Sequence, residues 1–348
     1  SKMTTIRSPI ILQNKSSHPL TFFFSPKQAP GVATMKPSVR ITVPAGGISA
    51  VPLGYTNNCS ISLVPVLEGS AADSLTPSNN SINLDQITHL PDPVVFSCDN
   101  KSSGKHGVYL IGKVDVDTTT FSKERCFQAT LSIYPPMMLS NLLPVDARFT
   151  VEFQDSRFES KSLVIKSGDT TEVYEQNPQS VLRMSVSGLS GFVEGVFICP
   201  ARPLSARPVE QSRLQLIDSK REKLDVVVEM ACTPSQELVF YTPYWLINKT
   251  RLPILYSPDG NRMAAGPSEM PGPDGKYFFS SNRIAVRVPE CSKWSKPFSI
   301  EAIGTSGVLE IPRGDAPDLV TQPYGIKVSC YLAEGKFKRT KDERSMIK

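Results

Sequence analysis

Apolar and polar residues alternate along most of this chain, in runs too short for helices. Phe127-Gln-Ala129-Thr-Leu131-Ser-Ile133-Tyr keeps a period of two, as do Leu224-Asp-Val226-Val-Val228-Glu-Met230 and Ile284-Ala-Val286-Arg-Val288. That period sends one set of side chains to a buried sheet face and the other to water. Turn-forming clusters punctuate the runs: Ala45-Gly-Gly47, Ser167-Gly168-Asp169, Pro258-Asp-Gly260 and Pro273-Asp-Gly275. No segment holds a 3.6-residue apolar period over three turns, and residues 81–89 alone predict one short helix. The pattern predicts an all-β protein.

A longer repeat overlies the alternation. Pro9-Ile-Ile-Leu12-Gln-Asn14, Pro136-Met-Met-Leu139-Ser-Asn141 and Pro243-Tyr-Trp-Leu246-Ile-Asn248 share a proline five residues before an asparagine and a leucine two before it. A further proline follows each, at Pro19, Pro144 and Pro253, and the asparagines stand 127 and 107 positions apart. Recurrence at domain-sized intervals indicates an array of like modules. With seven to nine short strands each, the units predict a tandem array of three β-sandwich modules. Their expected bounds are 1–126, 127–234 and 235–348. Residues 69–91, rich in Ser, Asn and Pro, read as a surface insertion in the first. Pro200, Pro203 and Pro208 mark an extended crossover in the second. Gly195-Val-Phe-Ile-Cys-Pro200 mirrors Gly307-Val-Leu-Glu-Ile-Pro312.

Composition supports this organisation and narrows the function. At 348 residues, a prior of roughly 150 per domain gives two or three domains. Thirty prolines favour loop-rich β structure, because proline cannot donate to a ladder and clashes inside a helix. A net charge of +5 lacks the concentrated basic face that nucleic-acid binding needs. The basic run near the end (Lys336, Lys338, Arg339, Lys341, Arg344, Lys348) is diluted by Glu334, Asp342 and Glu343 and reads as a solvated segment. No apolar run approaches the roughly 18 residues that span a bilayer, and no secretory leader precedes the first strand. The chain opens and closes mid-pattern, as a piece of something longer does. Its seven cysteines form no close pairs and read as free buried thiols of a reducing compartment, not as a disulfide framework or zinc site.

The recurring asparagines invite a chemical reading. A carboxamide offers one carbonyl acceptor and two N–H donors. Where a strand leaves its sheet it satisfies backbone groups the ladder no longer pairs. Asn14, Asn141 and Asn248 are therefore read as architectural, with ligand contact as the rival. Five asparagines (Asn14, Asn58, Asn79, Asn100, Asn248) fit the glycosylation pattern, which keeps open an extracellular sandwich receptor fragment. Tyr244, Trp245, Trp294 and Phe298 are candidate partner-contact aromatics, although such residues more often belong to a core. His18, His89 and His106 lie apart with no Cys or carboxylate at motif spacing, and no phosphate loop, serine elbow or metal-binding helix is present. No enzyme activity and no cofactor are expected.

Phe240-Tyr-Thr-Pro243-Tyr-Trp245-Leu-Ile-Asn248-Lys-Thr250-Arg-Leu-Pro253 resembles the opening of the adaptor-binding (SHORT-ROOT-binding-like) domain of the vacuolar-protein-sorting, chorein-type bridge-like lipid transfer proteins. The resemblance is motif-strong around Trp245 and extends over the chain as the repeat. It implies an arched array of six β-modules with one asparagine each, of which this chain would be the first three. It also implies very long parent proteins that carry phospholipid between organelle membranes at contact sites. Their adaptor-binding domain captures Pro-x-Pro peptides of adaptor proteins in a groove attributed to the last modules. The function so implied is non-catalytic, cytoplasmic and peripheral at membranes through adaptors, with a structural spacer within that domain as the alternative.

Overall fold

A computed structural model describes residues 8–26, 39–67, 74–90, 93–101, 106–121, 124–153, 160–189, 192–201, 207–217, 223–232, 234–250, 252–258, 276–279, 282–300, 306–311 and 324–329. The protein is all-β and built as a tandem array of sandwich modules. The first module contains β1 (Ile10–Asn14), β2 (Leu20–Pro26), β3 (Val39–Val43), β4 (Ile48–Ala50), β5 (Cys59–Pro65), β6 (Ile82–Asn83), β7 (Val94–Asp99), β8 (His106–Phe121) and β9 (Glu124–Tyr134). Two sheets form, ordered β4-β1-β9-β8-β7 and β3-β2-β5-β6. Alternation decides which side chains meet between them. In β5, Cys59, Ile61 and Leu63 point inward and are buried, while Ser60, Ser62 and Val64 are only partly covered. Leu12, Phe22, Phe24, Ile61, Phe96 and Leu131, drawn from both sheets, share one core.

The second module repeats this order strand for strand. It uses β10 (Met137–Asn141), β11 (Ala147–Glu152), β12 (Lys161–Ile165), β13 (Thr170–Val173), β14 (Leu182–Ser187), β15 (Gly195–Cys199), β16 (Arg207–Ile217), β17 (Lys223–Cys232) and β18 (Gln236–Tyr241). Its sheets run β13-β10-β18-β17-β16 and β12-β11-β14-β15. Phe149, Phe197 and Phe240 meet edge-on in its core, with centroids 4.9 and 6.3 Å apart.

In the third, β19 (Tyr244–Ile247), β20 (Leu255–Pro258), β21 (Lys276–Phe279), β22 (Arg283–Arg287), β23 (Phe298–Ser299), β24 (Ser306–Ile311) and β25 (Tyr324–Ser329) are described. Their pairings, β19-β21, β20-β22-β23 and β24-β25, fit the same order.

The parallel pairs β1–β9 and β10–β18 close each five-stranded sheet. Leu131 pairs with Leu12 and Ile133 with Asn14; Leu238 pairs with Leu139 and Phe240 with Asn141. The repeat prolines lie at the mouths of these pairs. Pro9 O accepts from Ala129 N (2.8 Å), and Pro136 O from Gln236 N (3.0 Å). Proline is tolerated there because its carbonyl, not an N–H, joins the ladder.

Three local expectations take a specific form. Residues 84–89 make a 3-10 helix whose Asn83 side chain accepts from Asp85 N. The Ser- and Asn-rich segment around it also contributes Leu75, Ile82, Leu84 and Ile87 to the first core, while Asn79, Asn80 and Ser81 face water. Of the Pro-rich crossover, Pro208 lies within β16, and the pairing with β17 shifts register between Arg207 and Glu210, as a residue without an N–H donor requires. The likeness of Gly195 and Gly307 is not one of position. β15 pairs with β14, whereas β24 pairs with β25 and takes the place of β16. Both stretches are short alternating strands, and alternation carries no information about partners.

Candidate functional site

Asn14 and Asn141 end the first strands of their modules, Asn248 directly follows β19, and all three are almost wholly buried. Asn14 Nδ2 donates to the carbonyls of His18 (2.8 Å), Pro44 (3.0 Å) and Val43 (3.2 Å), while its Oδ1 accepts from Ser16 N (2.9 Å) and Ser16 Oγ (2.7 Å). Asn141 Nδ2 donates to Val145 O (3.0 Å) and Ile165 O (2.8 Å), and Leu143 N donates to its Oδ1 at 3.0 Å. Asn248 Nδ2 donates to Leu252 O (2.8 Å), and its Oδ1 accepts from Thr250 N (2.9 Å) and Thr250 Oγ1 (2.7 Å). The common elements are donation to the carbonyl four residues on and acceptance from the N–H two residues on.

In the first two modules the same amide reaches the turn that carries the chain from one sheet to the other. Val43 and Ile165 end β3 and β12, just before turns in which Gly46 and Gly168 have φ of 67° and 80°. The backbone completes the clamp: Asn14 N donates to Gly47 O and Asn141 N to Asp169 O, both at 2.9 Å. One side chain therefore ties a strand end, its own exit loop and a second strand together. Each such hydrogen bond contributes about 1 kcal/mol net, and a buried group left unpaired costs about 1–3 kcal/mol. For Asn248 the matching turn lies outside the described residues. Asn14 and Asn248, inside these clamps, have no room for a glycan.

Three of the four candidate aromatics, Tyr244, Trp294 and Phe298, have described side chains. Tyr244 and Phe298 are half-buried against the third core. The Trp245 side chain lies outside the described residues, although its backbone pairs with Phe278 in β19 and β21. Trp294 is half-buried, and its ring lies under the Arg287 guanidinium, with Cζ 5.0 Å from the centroid. Sequence reading passed over Arg287 because a lone arginine on an alternating strand looks like ordinary solvent-facing charge.

A junction between modules was equally silent in the sequence. Ser17, in the exit loop after Asn14, donates its N–H (3.0 Å) and hydroxyl (2.7 Å) to Glu172 Oε2 in β13. Glu172 also accepts from the Tyr174 hydroxyl. Tyr174 packs into the first module's core and its carbonyl accepts from Tyr109 N in β8 at 2.8 Å. Burial, and then the bond to the Glu172 carboxylate, push the Tyr174 hydroxyl above its ordinary pKa.

Reactive chemistry is sparse. Cys59, Cys98, Cys199, Cys232 and Cys291 are buried free thiols; Cys126 and Cys330 fall where side chains are not described. Burial, helped by Asp99, pushes Cys98 up to about 12. Among the described residues no three His, Cys, Asp or Glu side chains group as metal ligands, and no helix is long and apolar enough to cross a membrane.

Comparison with known proteins gives this architecture its relatives. Residues 1–342 match the family described as vacuolar-sorting associated protein 13, adaptor binding domain. The chain is 22% identical to the intermembrane lipid transfer protein VPS13A of Mus musculus over 89% of its own length and 9% of that protein's. It is 23% identical to VPS13D of Homo sapiens over 97% of the chain and 8% of the relative. With vps13D of Dictyostelium discoideum it shares 26% identity over 52% of the chain and 5% of the relative. The chain thus spans less than a tenth of the length of these relatives. A match over nearly all its residues, on tandem sandwiches with a buried asparagine at each first-strand end, places the chain in the vacuolar-sorting associated protein 13 adaptor-binding domain family.

Proposed function

We propose that this chain is a non-catalytic interaction array that helps direct a bulk lipid transfer protein to organelle membranes at contact sites. It does so by taking part in recognition of Pro-x-Pro-type segments of organelle-specific adaptor proteins. The parent protein carries phospholipid between membranes, and this portion is cytoplasmic and meets membranes only through its adaptors. The observation that carries the reading is the match of residues 1–342 to an adaptor-binding domain. The relatives' names as intermembrane lipid transfer proteins support the parent activity.

The strand order supports a means of capture. β15 ends its four-stranded sheet and leaves Val196 and Ile198 exposed, at 47% and 61%. An extended segment adds to such an edge as a further strand, with prolines where no donor is needed. Asn14, Asn141 and Asn248 are architectural in this reading. The expected bounds at 126/127 and 234/235 would cut β9 and part β18 from its sheet, so we propose instead that the modules divide near Pro135 and Pro243.

Binding to immobilised Pro-x-Pro peptides tests the proposal, comparing this chain with an array extended by the following modules. Binding by both supports recognition here. Binding by the longer array alone makes these modules a spacer, and binding by neither overturns the adaptor reading.

A further inference from the structure

In the third module a guanidinium has an N–H that no acceptor meets among the described residues. Arg283, Ala285 and Arg287 share one face of β22, opposite Ile284 and Val286, which enter the core. The chain then turns back along this strand. Cys291 N donates to Val288 O (2.9 Å), Ser295 N to Val286 O (2.9 Å), and Val286 N to Ser295 Oγ (3.0 Å). These bonds fix Trp294 beside Arg287, whose Cζ lies 5.0 Å from the ring centroid. Arg287 Nε is buried and has no hydrogen-bond partner among the described residues. Arginine does not lose its charge, and a buried unpaired donor is a standing penalty. A guanidinium over an aromatic face keeps its N–H edge for a carboxylate in bidentate geometry. The surroundings favour an anion: residues 283–298 contain Arg283, Arg287, Lys293 and Lys296 against Glu290 alone, and Lys293 and Lys296 are exposed.

We propose that Arg287, held on Trp294, is a carboxylate-binding point on the third module that engages an aspartate or glutamate of an extended, acidic adaptor segment. The proposal rests on the adaptor reading above and adds the partner's charge to it. Proline offers a guanidinium only a neutral backbone carbonyl, whereas an acidic neighbour in the same segment offers a charged carboxylate.

The test uses the whole chain and two peptides, Ac-Pro-Glu-Pro-Glu-Glu-Pro-amide and its Gln counterpart. Binding is followed by the indole N–H resonance of Trp294, assigned with Trp294→Phe. The acidic peptide is expected to shift that resonance and to bind about tenfold more tightly than the Gln peptide, the scale of a charge-assisted hydrogen bond. Arg287→Gln is expected to abolish the difference. Arg287→Lys, which keeps charge and most of the bulk, is expected to recover only part of it. Thermal unfolding of both variants checks that they fold, and the peptide exchange leaves the protein untouched. Equal binding of the two peptides, or no binding of either, overturns the carboxylate site, and the immobilised Pro-x-Pro panel separately decides the adaptor reading. Arg287-dependent capture by vesicles of phosphatidylcholine and phosphatidylserine, with no effect of the acidic peptide, overturns it in favour of a membrane surface.

Discussion

Tyr174 of the second module lies in the apolar core of the first, its ring centroid 5.1 Å from that of His18. Glu172, two residues earlier, accepts from both the backbone and the side chain of Ser17. A buried aromatic and a carboxylate clamp thus join the first two modules. Tyr174→Ala removes a large buried side chain and is expected to destabilise the pair by about 3 kcal/mol, the scale of aromatic truncation in a core. Calorimetry is expected to resolve separate transitions where the unaltered protein shows coupled ones. Tyr174→Phe, which loses only the hydroxyl contacts, is expected to stay coupled.

The asparagine clamp makes a directional prediction. In Asn141→Asp the donors facing Val145 O and Ile165 O disappear and a buried charge takes their place. Loss of two hydrogen bonds, with the carbonyls left unpaired, is expected to lower the unfolding free energy by about 2–4 kcal/mol in urea. Asn141→Ala, which buries no charge, is expected to lower it less.

Turn geometry gives a paired test. Gly168 has φ of 80°, a region that costs a residue bearing Cβ roughly 1–2 kcal/mol. Gly168→Ala is expected to lower stability by about that amount. Gly54 lies at negative φ, and a Cβ added there meets nothing within 4 Å; Gly54→Ala is expected to be neutral or slightly stabilising. Urea midpoints of the two variants make the comparison.

Alkaline pH is expected to unfold the first module through Cys98. Its thiol ionises at about 12 in the folded chain against 9.0 ordinarily, so the folded state favours the neutral form. That contribution is intact below pH 9 and is lost as pH rises toward 12. The raised hydroxyl of Tyr174 acts in the same sense. Cys98→Ala is expected to flatten the fall in melting temperature over this interval, followed by circular dichroism.

Much of the fold was legible because its signals are local. Alternation in Phe127-Gln-Ala129-Thr-Leu131 identified a strand, and one amide in a Pro-x-x-Leu-x-Asn frame marked each module's first corner. Partner choice was not legible. Leu131 stands ten residues before Asn141, yet it pairs with Leu12, more than a hundred residues back. Hydrogen-bond pairing over such distances leaves no local pattern. Tyr174 and Arg287 escaped notice for a related reason. Each owes its setting to a neighbour across a module boundary or across a turn, and neither departs from the polarity expected at its own position.

Thermal unfolding of Asn248→Ser, read beside its binding to the immobilised Pro-x-Pro panel and limited proteolysis, separates a corner pin from a ligand contact. Serine lacks the reach to bridge Leu252 O and Thr250 N as Asn248 does. A lower melting temperature with new cleavage in the third module is the expected result. Unchanged stability with lost peptide binding would contradict it.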